Sequence, residues 1–147
     1  MTPRPAGNEK GMPVPETGAL PGSREGGETL RITTERAEGT SVLYLRGELD
    51  LRTVPKLRMR LAEALERGSG PVVVDLTDVT FIDSTGLSAL LNALRRLTRA
   101  GRRMLLSTQE GPVLRLLRMT RLDSTFALYD SPEAALDAVT GERAAAA

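Results

Sequence analysis

Chemistry in this chain is most readily done at Asp83-Ser84-Thr85-Gly86, where a short carboxylate, two hydroxyls and a glycine stand in a row. They follow a strand-like run, Val72-Val73-Val74 through Phe81-Ile82, and lead directly into a helical pattern. A helix N-terminus leaves backbone N–H groups without intrahelical partners and carries partial positive charge. A hydroxyl planted there suits a covalently attached phosphate, whose negative charge the helix end favours. Ser84 is the candidate acceptor. Thr85 competes with it, its side chain lying about 100° further round the helix. Asp83 suits an N-cap, worth about 1 kcal/mol, or a direct partner contact. Gly86 permits another backbone to approach closely or relieves crowding in the first turn. On the residues alone, a serine satisfying its own backbone is the simpler reading of Ser84.

Composition removes most other chemistries. The 147 residues include neither histidine nor cysteine. That excludes a Ser-His-Asp or Cys-His relay, an imidazole base, a His-ligated metal site, disulfides and thiolate chemistry. A Gly-x-Ser-x-Gly elbow is also missing, which leaves a hydrolase remote. Twenty basic and 19 acidic residues give a net charge of +1, too balanced to point to nucleic acid or an acidic membrane surface. No apolar run approaches the roughly 20 residues that cross a bilayer, and no signal-peptide pattern opens the chain. The expectation is a cytoplasmic protein with no cofactor and no metal.

The elements that must position Ser84 follow from periodicity. Residues 1–28, rich in proline and glycine and without apolar periodicity, read as a disordered tail. One domain is expected over 29–140, with a frayed alanine tail at 141–147. Leu30–Glu35 and Ser41–Arg46 read as strands joined at Glu38-Gly39. Val54, Leu57, Leu61 and Leu65 recur at helical spacing, with Thr53 as cap, Pro55 in the first turn and Gly68 as stop. Val72–Leu76 is an apolar run of the kind found in a central strand covered on both faces. After Ser84, Leu87, Leu90, Leu91, Leu94 and Leu97 form a helical stripe that Gly101 ends. Met104–Ser107 reads as a strand, Pro112–Met119 as a short helix, Thr125–Tyr129 as a strand, and Ser131-Pro132-Glu133 as a helix start. The order β-β-α-β-α-β-α-β-α implies an α/β (α+β) domain, a mixed β-sheet with helices packed mainly on one face.

Gly47-Glu48-Leu49-Asp50 after the second strand, with Val74-Asp75-Leu76-Thr77-Asp78-Val79 leading into Phe81-Ile82-Asp83-Ser84-Thr85-Gly86-Leu87, resembles the anti-sigma factor antagonists of bacteria. These carry the STAS domain, and the resemblance spans about residues 30–139. It implies a switch protein with a STAS-like fold. The serine matching Ser84 is phosphorylated by a serine kinase that is also the anti-sigma factor. The unphosphorylated form binds that factor and frees the sigma factor, and a separate serine phosphatase reverses the modification. The antagonist itself is then no enzyme. The resemblance places the loop bearing Glu48, Asp50 and Arg52 beside the acceptor, so the expected docking surface comprises these three with Asp83, Ser84, Thr85, Gly86, Ser88 and Asn92. Ser84, Ser88 and Asn92 share one helical face. Two positions depart from the family. Ser88 stands where many members have glycine, and Arg121 replaces a glycine common after the short third helix, which argues against a left-handed cap there.

Two rivals bear comparison. A phospho-receiver domain would use Asp75 at the end of its apolar strand, but needs further carboxylates for Mg²⁺, and only Glu35, followed by Arg36, stands at the end of the first strand. A sensory or scaffolding STAS module, or one binding a small ligand, would share the fold.

Overall fold

A computed structural model describes residues 29–146; the segment 1–28, read above as a disordered tail, and residue 147 lie outside them. Nine elements follow in the expected order. They are β1 (Leu30–Ala37), β2 (Thr40–Leu49), α1 (Val54–Glu66), β3 (Val72–Ile82), α2 (Ser84–Arg99), β4 (Met104–Ser107), α3 (Pro112–Met119), β5 (Ala127–Tyr129) and α4 (Pro132–Ala146). The five strands form one sheet in the order β1-β2-β3-β4-β5. The β1–β2 pair is antiparallel and the other three pairs are parallel.

The β1–β2 hairpin closes through two residues, Glu38 and Gly39, both with positive φ. That is the turn whose twist matches the flanking strands. At β3, Val72, Val73 and Val74 are wholly buried, as a strand covered on both faces requires. Val72, Val74 and Leu76 join the main core with Leu57 and Leu61 of α1, Leu87, Leu90 and Leu97 of α2, and Val113 and Leu117 of α3. Val73 belongs to a second cluster with Val42, Leu105 and, from α4, Ala135 and Val139. Three helices thus cover one face and α4 alone covers part of the other, consistent with the expected one-sided packing.

The structure departs from the expectations at several points, beginning with β1 and β2, which run on to Ala37 and Leu49 rather than ending at Glu35 and Arg46. β3 continues past Leu76 to Ile82, because β2 goes on pairing with it through register shifts between Tyr44 and Arg46 and between Gly47 and Glu48. β5 begins at Ala127 rather than Thr125, since the N–H groups of Thr125 and Phe126 turn back to Leu122 O. Thr53 precedes α1 without capping it by its side chain; its hydroxyl instead donates to Glu48 O at 2.8 Å. The tail expected beyond Gly141 is helical to Ala146, in keeping with the helix preference of alanine. Ser131 caps α4 as expected, its Oγ accepting from Ala134 N–H at 3.0 Å.

The ends of α2 and α3 are closed alike. Gly101 N–H donates to Thr98 O and Arg102 N–H to Leu97 O, while Arg121 N–H donates to Arg118 O and Leu122 N–H to Leu117 O. Both are Schellman closures with the residue after the cap in the left-handed region, at φ 73° for Gly101 and 60° for Arg121. The left-handed turn that Arg121 argued against therefore forms, held by hydrogen bonds that the fold supplies whatever the side chain.

Candidate phosphoacceptor and docking surface

Because β2 and β3 are parallel, their carboxyl ends emerge side by side and feed the β2–α1 loop and α2 respectively. This is the edge of an open α/β sheet where functional groups gather. Leu49 pairs with Ile82, and the next backbone step is closed by Asp83 N–H donating to Leu49 O at 3.2 Å. Asp83 is the N-cap of α2, its Oδ1 accepting from Gly86 N–H at 3.0 Å. The capping role expected for Asp83 is filled.

That cap frees the residue after it. Ser84 is the first helical residue and is exposed, and among the described residues no hydrogen bond to protein engages its hydroxyl. The simpler reading, a serine tied to its own backbone, does not describe it, since Asp83 performs that task. Thr85 is half-buried, and Ser88 and Asn92 are exposed further along α2. Gly86, expected among the partner contacts, is instead buried: a Cβ there would stand 2.7 Å from Leu49 Cγ. Its smallness serves the packing of the first helical turn on the end of β2.

Across the gap, Glu48, Asp50 and Arg52 form a self-contained set. Arg52 Nη2 reaches Asp50 Oδ2 at 3.1 Å and Glu48 Oε1 at 3.4 Å. Asp50 Oδ1 accepts from the backbone N–H groups of Arg52 at 2.9 Å and Thr53 at 3.2 Å. Burial alone would raise the pKa of Asp50, but the hydrogen bonds from the Arg52 side chain and from both backbone groups outweigh it, and the carboxyl lies below its ordinary value. Thr53, whose N–H bonds Asp50 O and whose hydroxyl accepts from Asp50 N–H at 3.0 Å, completes a tight turn. The structure thus brings Glu48, Asp50, Arg52, Asp83, Ser84 and Thr85 to one edge of the sheet, with Ser88 and Asn92 about one and two turns further along α2. Missed were Thr53 as the knot of the loop and the exposed apolar Leu51 and Phe81. Nothing in the sequence pattern separates such residues from core ones.

Asp75, the acceptor in the receiver-domain alternative, is buried, with Oδ1 accepting from Thr77 Oγ1 at 2.7 Å and Ser107 Oγ at 2.9 Å. Its carboxylate ties β3 to β4. No group of three acidic side chains placed to hold a metal occurs among the described residues, and none of their helices is long and apolar enough to cross a membrane.

The family model of the STAS domain matches residues 31–135. The chain belongs to the STAS domain family. The resemblance to the STAS-domain anti-sigma factor antagonists is borne out by relatives of this STAS protein. An anti-sigma F factor antagonist of Paenibacillus polymyxa is 33% identical over 108 residues, covering 73% of this chain and 92% of the relative. The crystal structure of an anti-sigma factor antagonist from Mycobacterium paratuberculosis superposes with a TM-score of 0.70 at 28% identity, covering 76% of this chain and 95% of that one. The anti-sigma factor antagonist SpoIIAA in its unphosphorylated form gives 0.65 at 25% identity, covering 76% and 97%. The STAS domain here accordingly has the mixed sheet of those structures, with Ser84 at the start of its second helix.

Proposed function

We propose that this STAS protein is an anti-sigma factor antagonist, acting in the cytoplasm as a ligand and a substrate rather than as a catalyst. Its unphosphorylated form binds an anti-sigma factor that is also a serine kinase, so that the sigma factor is released. Phosphorylation of Ser84 blocks that binding, and a serine phosphatase restores it. The observation that carries the reading is the exposed Ser84 hydroxyl at the first position of α2, relieved of capping by Asp83. The names of the relatives, and a SpoIIAA structure described by its unphosphorylated form, support the same reading.

The physics of the switch is local. A phosphate on Ser84 adds about −1.5 to −2 charges at a helix end that favours negative charge, so the domain stays folded. The effect falls on the partner. A kinase docked for transfer must present its nucleotide phosphates to Ser84, and a dianion already there meets like charge in a desolvated contact, which costs several kcal/mol. A penalty of about 4 kcal/mol weakens binding roughly a thousandfold.

The test is binding of wild-type, Ser84→Ala, Ser84→Asp and Ser84-phosphorylated protein to the purified anti-sigma factor kinase of the source organism. Ser84→Ala is expected to bind like wild type and to resist phosphorylation, with the aspartate and phosphorylated forms weak. Equal affinity of all four would overturn the reading, and phosphopeptide mapping separates Ser84 from Thr85.

A further inference from the structure

Two large apolar side chains are exposed near this site, at the ends of β2 and β3. Leu51, between Asp50 and Arg52 in the β2–α1 loop, is 71% exposed, and Phe81, at the end of β3, is 47% exposed. Phe81 is the register partner of Glu48, and the next pair is Leu49 with Ile82. The two exposed groups therefore flank the place where Asp83 N–H meets Leu49 O, the step that sets α2 and Ser84 on the sheet. Single apolar residues on a surface are ordinary. A pair bordering an exposed acceptor serine at a helix mouth has the placement of interface anchors.

The neighbouring charges point the same way. Arg52 is bound to Glu48 and Asp50, and Asp50 is bound to the backbone of its own loop. The Arg52–Glu48 pair is half-exposed, so it adds little to the docking energy by itself. The bonds of Asp50 shape the turn that carries Leu51. Leu51 is the apolar group that this loop offers a partner.

We propose that Leu51 and Phe81 anchor the docking face by entering an apolar recess of the anti-sigma factor kinase beside its nucleotide site. The position beside the nucleotide follows from Ser84, which the same surface must deliver to the γ-phosphate. The proposal rests on the functional reading above and adds which side chains hold the partner. The transfer value of a leucine side chain corresponds to about 10- to 100-fold in Kd for each anchor.

The experiment is calorimetric titration of the full chain with the purified, ADP-loaded anti-sigma factor kinase of the source organism. The variants are Leu51→Ser, Phe81→Ser and Leu51→Met, with Met59→Gln as control, since Met59 is also exposed, at 56%, but lies on α1. Leu51→Ser and Phe81→Ser are expected to raise Kd by about 10-fold or more, Leu51→Ser with unchanged Tm and Phe81→Ser with a lowered Tm but a native circular dichroism spectrum, while Leu51→Met and Met59→Gln bind like wild type. Wild-type affinity in both serine variants would overturn the proposal and leave the functional reading standing. Failure of wild-type protein to bind the kinase would overturn both. Equal losses in the Met59→Gln control would remove the proposal by showing that any exposed apolar group matters alike.

Discussion

Gly86 and Leu49 touch so closely that a single carbon has no room between them. A Cβ on Gly86 would lie 2.7 Å from Leu49 Cγ and 3.1 Å from Leu49 O, and the Leu49 side chain is wholly buried. The contact sets the height of Ser84 above the β2–α1 loop, because it joins the first turn of α2 to the last residue of β2.

Gly86→Ala is therefore expected to destabilise the domain although alanine favours helix. The propensity gain is about 1 kcal/mol, whereas overpacking against a residue that cannot yield costs about 1–3 kcal/mol. Urea unfolding should show a net loss of up to about 2 kcal/mol. The same variant should weaken kinase binding, since the helix start must shift away from the loop.

Asp50 gives the site a pH signature. Its folded pKa is depressed, so its contribution is present above the unfolded value of about 3.9 and is lost as pH falls through the lower folded value. Asp50→Asn keeps an acceptor for the Arg52 and Thr53 N–H groups but loses the charge that strengthens those bonds and holds Arg52. The expected cost at pH 7 is about 1 kcal/mol, moderated because the Arg52 side chain is 55% exposed. Denaturation midpoints of the two proteins should differ at pH 7 and draw together as pH falls below the unfolded value of about 3.9.

Arg121 offers the opposite sign. At φ 60° it occupies a conformation that costs an L-residue about 1–2 kcal/mol, and glycine relieves this at the expense of about 0.4–1 kcal/mol in the unfolded chain. Arg121→Gly should raise stability by about 0.5–1 kcal/mol, seen as a Tm increase of roughly 2–4 °C. Kinase binding should not change, because the α3 terminus lies on a different element from Ser84 and the β2–α1 loop.

Legibility in the sequence follows the range of each interaction. The leucine stripe of α2, the Val72-Val73-Val74 run, the Asp83 cap and the Glu38-Gly39 turn all rest on residues a few positions apart, and each forms as its spacing implies. The second half of β3 was hidden because Thr77, Asp78 and Thr80 interrupt its apolar pattern, and only pairing with a register-shifted β2 keeps it a strand. Leu51 and Phe81 were hidden for another reason. Apolar residues look like core until the chain is folded, and only their exposure marks them. The burial of Gly86 against Leu49 likewise needs residues 37 positions apart in sequence to meet.

The longest-range of these ties makes the last prediction. Arg102, just past α2, is 8% exposed and donates from Nε to Gly70 O at 2.8 Å, from Nη1 to Leu65 O at 3.0 Å and from Nη2 to Ala64 O at 3.3 Å. α1 has no basic residue in its own last turn, so a guanidinium from a distant segment meets its terminal carbonyls and the loop into β3. Burial, and after it the charge of Arg36, lowers the pKa of Arg102, yet the group remains a cation because its ordinary value is so high. Arg102→Met should cost about 3 kcal/mol in urea unfolding, since it strands three carbonyls. Arg102→Lys should recover only part of that, because a single ammonium cannot span the three acceptors as the planar fork does. Both variants, where still folded, should bind the kinase and lose binding on Ser84 phosphorylation as wild type does. Such a result separates the residues that hold the sheet together from those at its opposite edge that engage the partner.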